Sequence, residues 1–440
     1  MHFFLHVFLF SSLPFILFLS KFCFSHSKSR KNLPPSPPKL PLIGNLHQLG
    51  SSPHRTLQTM AQTYGPLMLI HLGTVPVLVA SSVDAAKEIM KTHDLVFASR
   101  PQLDIPSRIF YGNKDIAFSQ YGEYWRQIKS IAVLHLLSNK RVQSYQHVRS
   151  DEMGLMMDKI LRSNGSVLNL SELIIALTNN VVCRVALGRT YEGRKFKNLL
   201  QRAMELLGCF SVGSYIPSLK WVDRLSGLVR KADDVAKELD EFLEGVIEEH
   251  LNEKRAGVED QDLVDILLEF QRDNLKGFRL ERDMVKAVIM DLFAAGTDTT
   301  FTSLEWAISE LLRHPRVMQK LRQEALEIGQ GRSSIPEDDL EKMPDSSNWY
   351  EPDEFRPERF LNSTIDYKGF HFELIPFGAG RRGCPGIQFA MSVNELVLAN
   401  LVYMFDLEFL GEEVLDMSET SGITVHKKLP ILVSATARFK

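Results

Sequence analysis

PFGAGRRGCPG, residues 376–386, can be read as the cradle of a phosphate or as the holder of a metal, and the choice decides the fold. Gly378, Gly380 and Gly383 spell G-x-G-x-x-G, the dinucleotide fingerprint. That fingerprint needs a strand before it, a helix after it and a repeating βαβ chain around it. Here the motif comes late in a chain patterned for helices, and its loop carries Arg381 and Arg382. Asp406 stands at a tolerable distance for the acidic partner, but too little chain remains for a nucleotide domain.

The metal reading uses more of the residues. Pro385 suits the first position of a helix, and IQFAMSVNELVLANLVYMF, residues 387–405, continues as an apolar-rich helical run. Cys384 is thereby expected at a helix N-terminus, where backbone N–H groups and the dipole favour thiolate, and Arg382 adds charge. A single thiolate cannot complete a four-ligand structural zinc site. It can hold the iron of a haem, whose macrocycle supplies four nitrogens. Gly378, Gly380, Gly383 and Gly386 would let the loop approach such a macrocycle, Arg382 could pair with a propionate, and Phe377 could shield the sulfur.

Working outward, the pattern predicts a long helix from about Arg282 to Arg313, stopped by His314-Pro315 and about 45 Å in length. Its middle carries Ala294, Ala295, Gly296, Thr297, Asp298, Thr299 and Thr300. Two readings stand. Small residues could admit a flat ligand while Thr hydroxyls bend or open the helix beside an acid that attracts water and protons. Alternatively, the same residues serve a close helix crossing, with the hydroxyls satisfied locally.

The 440 residues are 44% hydrophobic and 24% charged, the composition of a folded protein, and the net charge of -3 gives no basic field for nucleic acid. Cys23, Cys183, Cys209 and Cys384 lie far apart with no disulfide spacing, which points to a reducing, cytosol-facing body; the first three read as packing residues. FFLHVFLFSSLPFILFLSKFCF, residues 3–24, is long and apolar enough for a membrane anchor. A cleaved signal peptide is the competing reading, but the basic start and the small-residue cleavage site are missing. Lys28, Arg30 and Lys31 would keep the body cytoplasmic, and PPSPPKLP, residues 34–41, forms a stiff spacer. The expected layout is an anchor over 1–26, a basic and proline-rich hinge over 27–41, and a body over 42–440, mainly α with small β-sheets. The charged stretches 236–255 and 259–277 read as solvated surface.

Phe377-x-x-Gly380-x-Arg382-x-Cys384-x-Gly386 resembles the haem-binding signature of the cytochrome P450 monooxygenases. Ala295-Gly296-Thr297-Asp298-Thr299-Thr300 is similar to that family's oxygen-activating segment, and Phe355-Arg356-Pro357-Glu358-Arg359-Phe360 to its F-x-P-E-R-F element. The anchor, the hinge and YWRQIKSI, residues 124–131, resemble the plant microsomal members of the clan that oxidises specialised metabolites.

The resemblance implies a P450-like fold, haem (iron protoporphyrin IX) as cofactor and Cys384 as the metal ligand, its thiolate pushing electron density onto iron. It gives Phe377, Gly380, Arg382, Gly386 and Ala295 to the cofactor, and Trp125 and Lys129 to the propionates. Lys129 stands where the family usually has Arg, a point charge without the bidentate fork. Asp298 and Thr299 would deliver protons. Met290, Asp291, Ala294, Ile423 and Thr424 would line a substrate pocket, with the segments 101–118 and 206–216. The implied reaction places one atom of O2 in an apolar small molecule, with electrons from NADPH–cytochrome P450 reductase docked beside the Cys384 loop. The implied location is the endoplasmic reticulum membrane.

One departure bears on all of this. Family members carry a Glu-x-x-Arg helix before the F-x-P-E-R-F element, and its pair locks onto the arginine at 359. Here EDDLEKMP, 337–344, runs straight into DSSNWYEPDEF, 345–355, and the literal matches Glu269/Arg272 and Glu310/Arg313 fall elsewhere. Glu358 and Arg359 are therefore expected to have lost their partner, a buried guanidinium without its carboxylate costing about 3–5 kcal/mol. The sequence thus leaves a second reading, a truncated and inactive member or splice product that binds haem weakly or not at all.

Overall fold

A computed structural model describes residues 33–191, 194–252, 261–273, 278–342, 354–360, 363–410 and 415–439. The anchor candidate, the basic part of the hinge and the seam at 344/345 lie outside the described residues.

The chain divides into two compact units. The first runs up to Ala86 and takes in Tyr215–Lys220. Helix α1 (Pro53–Tyr64) opens on a proline, whose missing N–H costs nothing at a helix start, and leads into the antiparallel hairpin β1 (Leu67–Leu72) and β2 (Val75–Ala80). Gly73 makes the hairpin turn at φ +61°, and a Cβ there would fall 2.5 Å from the Tyr215 carbonyl oxygen. That close approach lets the Thr74 N–H donate to the same oxygen at 2.9 Å.

The second unit, Lys87–Ser214 with Trp221–Lys440, is mainly helical. Its larger helices are α2 (Glu123–Ile131), α3 (Gln146–Ser163), α4 (Leu170–Leu187), α5 (Arg194–Leu207), α6 (Leu228–Asn252), α7 (Leu263–Asp273), α8 (Arg282–Arg313), α9 (Pro315–Gly329) and α10 (Ile387–Met404). Strand β3 (Leu168–Asn169) pairs with β7 (Leu432–Ala437), which pairs with β4 (Phe405–Phe409); β5 (Glu419–Ser421) and β6 (Val425–Lys427) form a second small sheet. The expected class, mainly α with small sheets, is what folds.

Local chemistry fixes the ends. Asn169 caps α4 by accepting the Glu172 N–H at 3.1 Å, and Gly188 closes it in the left-handed region. Helix α8 stops at His314 because Pro315 follows. Helices α4 and α10 are long and apolar enough to cross a membrane, but both supply the core, with Ile174 and Val181 from the one and Val393 and Leu396 from the other fully buried. They read as core helices of a globular body.

Candidate haem site

Gly378 and Gly380 take φ +67° and +64°, and a Cβ on Gly380 would lie 2.0 Å from the Met90 carbonyl oxygen. Gly380 is therefore required by a close approach to this chain's own backbone, at the helical turn Glu88–Thr92. The Cys384 N–H donates to the Phe377 carbonyl (2.9 Å), and the Gly386 N–H donates to Cys384 Sγ (3.3 Å). Helix α10 begins at Ile387 with Gly386 as its cap, so Pro385 is a turn residue and not the expected first helical position. The sulfur still receives a helix-cap N–H, delivered one residue beyond the proline.

The thiol is exposed, yet dense protein around it pushes it above its ordinary value, with the Gly386 N–H and Lys129 acting the other way. A group both accessible and crowded faces a concavity. Lys129, on α2, donates to the Gly383 carbonyl at 2.6 Å, and burial lowers its ammonium while Cys384 opposes that shift. Arg382 donates to the carbonyls of Ala98 (2.6 Å), Ile116 (3.0 Å) and Ser119 (2.6 Å), and its guanidinium lies 4.3 Å over the Trp125 ring. Trp125 donates its indole N–H to the same Ile116 oxygen at 3.0 Å. Burial and the charge of Arg100 push Arg382 down to about 10, Asp115 opposing.

Cations held below their ordinary values mark a place short of negative charge. The propionates of a haem would supply it, and an accessible thiol in a crowded concavity suits the iron. The residues present fit the group.

Helix α8 resolves its own two readings residue by residue. A Cβ on Gly296 would come 3.0 Å from a Val182 methyl, so Gly296 serves the crossing with α4. Ala295, Thr299 and Ser303, one turn apart, are exposed and form an open stripe in the middle of a buried helix. The hydroxyls of Thr299, Thr302 and Ser303 donate to carbonyls four residues back. Of the two readings, the opened helix is not the one that forms: α8 runs unbroken from Arg282 to Arg313. Back-bonding satisfies each hydroxyl without displacing a backbone bond. The Thr297 hydroxyl is buried and makes no hydrogen bond among the described residues.

Asp298 turns its carboxylate to the turn before β6 and to β6 itself. Thr424 Oγ1 donates to Oδ2 at 2.5 Å, and His426 Nε2 lies 3.3 Å from Oδ1. Of the other pocket candidates, Met290 is in the core, Ala294 is half-buried and Ile423 is exposed. The buried Asp291 accepts the Ile116 N–H at 2.5 Å. Burial and the charge of Asp115 hold Asp291 well above the carboxylate range, and burial raises Asp115 to about 6.

Near the seam, Glu358 accepts from Lys320 Nζ at 2.6 Å. Arg359 is half-buried and donates to the carbonyls of Arg356 (3.0 Å) and Glu354. Arg359 thus folds back on its own turn, and its acidic neighbour Glu358 meets a lysine.

His426, Arg100 and Asp115 were not foreseen. The alternation Thr424-Val425-His426 puts the first and third side chains on one strand face, a signal that could have found His426.

The cytochrome P450 profile matches residues 34–344 and 345–433, two stretches that meet at Pro344 and Asp345. A 3-beta-hydroxylase of Tanacetum parthenium is 52% identical over 476 residues, covering 96% of this chain and 95% of its own. Cytochrome P450 71A2 of Solanum melongena is 48% identical over 487 residues (96% of each chain), and psoralen synthase of Ammi majus 46% over 484 (98% and 97%). Each alignment is longer than the 440-residue chain. The chain belongs to the cytochrome P450 family: it is a haem-dependent monooxygenase, working with O2 and a redox partner.

Proposed function

We propose that this protein is a membrane-anchored monooxygenase of plant specialised metabolism, fed by NADPH–cytochrome P450 reductase, that places one atom of O2 in an apolar small molecule. The observation that carries the reading is the assembled Cys384 loop: an accessible thiol bonded by the Gly386 N–H, flanked by Lys129, Arg382 and Trp125. Haem, when bound, supplies the oxygen chemistry. Cys384 holds its iron, and Lys129 and Arg382, with Trp125 beside them, hold its propionates. Ala295 and Thr299 present the open stripe of α8 to the reacting space. Asp298, one residue from Thr299 and bonded to Thr424, passes protons toward the reacting space. The apolar segment 3–24 anchors the protein to the endoplasmic reticulum with its body toward the cytosol.

The relatives carry different chemistry in their names, a hydroxylase and a psoralen synthase, which supports a plant small molecule without choosing one. The two-part family match, with alignments longer than the chain, supports a block of residues missing at 344/345. That seam is what the inactive reading rests on. Against it stands the wiring of the Cys384 loop, whose bonds among the described residues draw on none near the seam.

Microsomes carrying this protein and the reductase, given NADPH, 18O2 and a panel of terpenoid and phenolic compounds, are expected to yield a product with one 18O atom. NADPH consumption without labelled product across the panel, or none at all, would favour the inactive reading.

A further inference from the structure

Around the middle of α8, His426 Nδ1 lies 3.0 Å from Thr302 Oγ1, and Nε2 lies 2.7 Å from Thr424 Oγ1 and 3.3 Å from Asp298 Oδ1. A hydroxyl has one proton to give, and both of these are committed. Thr302 donates to the Asp298 backbone carbonyl at 2.8 Å, and Thr424 donates to the Asp298 carboxylate at 2.5 Å. Each ring nitrogen therefore faces an oxygen that can only accept from it. An imidazolium, with hydrogen on both nitrogens, satisfies this arrangement in full.

The surroundings agree. Helix α8 contributes Asp298, the buried Glu305 and the Phe301 ring, whose centroid is 6.0 Å from that of the imidazole. On β6 itself the neighbouring cation Lys427 turns its ammonium to the Asp416 carbonyl. The hydrogen bond to Asp298 and the charges of Asp298 and Glu305 raise the ring above its ordinary value. The His426 side chain is 28% exposed and that of Asp298 16%, so the ring is the more open of the two.

We propose that His426 is the outer station of the proton path to Asp298, which rests on Asp298 passing protons to the reacting space. The Nε2 proton passes to the Thr424 hydroxyl as that hydroxyl hands its own proton to Asp298 Oδ2. The neutral ring then regains its Nε2 proton from solvent. Nothing is oxidised or reduced, and the charge moves from ring to carboxyl and is restored from solvent.

The full chain, labelled with 15N-histidine, tests this through the ring nitrogen signals, His426→Gln assigning residue 426. The expected result is an imidazolium at pH 7 whose titration midpoint falls in Asp298→Asn. A neutral ring at pH 7 overturns the proposal. In the reconstituted enzyme, His426→Gln is expected to lower product per NADPH on the order of tenfold, less than the ~100-fold that a donor at the reacting atom supplies. Peroxide should rise and the alkaline limb of the pH profile should move. Unchanged coupling and an unchanged profile would also overturn it. The carbon monoxide spectrum separates the two failures: its loss in the wild type would sink the monooxygenase reading, while the ring nitrogens would still decide whether the station exists.

Discussion

Arg382 and Arg359 belong to two short motifs of similar clarity, and the molecule holds them in opposite ways. Arg382 reaches carbonyls 284, 266 and 263 residues earlier in the chain and stacks on Trp125. Arg359 reaches carbonyls three and five residues back, within its own turn. One arginine fastens distant elements together; the described bonds of the other stay within its turn. A motif can thus survive in sequence after the structure that gave it work has gone, and only its partners tell the two cases apart.

The comparison breaks most visibly at the sulfur. Cys384→Ser is expected to abolish thiolate-ligated haem and turnover together, read by absorption and product formation; retained turnover would remove the loop from the centre of the account. Next in size, inserting a relative's residues between Pro344 and Asp345 should give Arg359 the carboxylate of the Glu-x-x-Arg helix. In that chimera Arg359→Ala is expected to cost about 3–5 kcal/mol by denaturant unfolding. A small cost there would mean that the seam is not what confines Arg359.

In the present chain Arg382→Ala takes the side-chain donor from the carbonyls of Ala98 and Ser119, leaves Ile116 only the Trp125 indole, and should cost about 2–4 kcal/mol. Arg359→Ala, which removes hydrogen bonds within one turn, should cost less, about 1 kcal/mol. Equal effects would erase the distinction. Smallest is a pH effect. The folded value of His426 is raised above 6.5, so its stabilisation is fully present below that value and is lost as pH rises through the folded one. Melting temperature should therefore decline over that window in the wild type, and the decline should flatten in His426→Gln.

Much of this was legible because it is local. The limits of α8 followed from periodicity and Pro315, and the mainly helical class followed from the succession of amphipathic runs. The Cys384 loop was legible because its glycines, arginine and thiol lie within a few residues. What stayed hidden is set by packing between distant segments. Gly296 looks like room for a ligand and is room for Val182, while Gly380 looks like room for a macrocycle and is room for Met90. Asp298 was readable as an acid, but its partners Thr424 and His426 stand 126 and 128 positions further on, and no spacing rule connects them. The start of α10 was misplaced by two residues because Pro385 suits a turn as well as a helix start.

The most direct test of the central claim, that the Cys384 loop is assembled for haem despite the seam, is the carbon monoxide difference spectrum of the dithionite-reduced protein. It should be recorded on the full chain in membranes with haem supplied. The account predicts the strongly red-shifted Soret band of a thiolate ligand. A band at the shorter wavelength of inactivated forms, or no band, would contradict it.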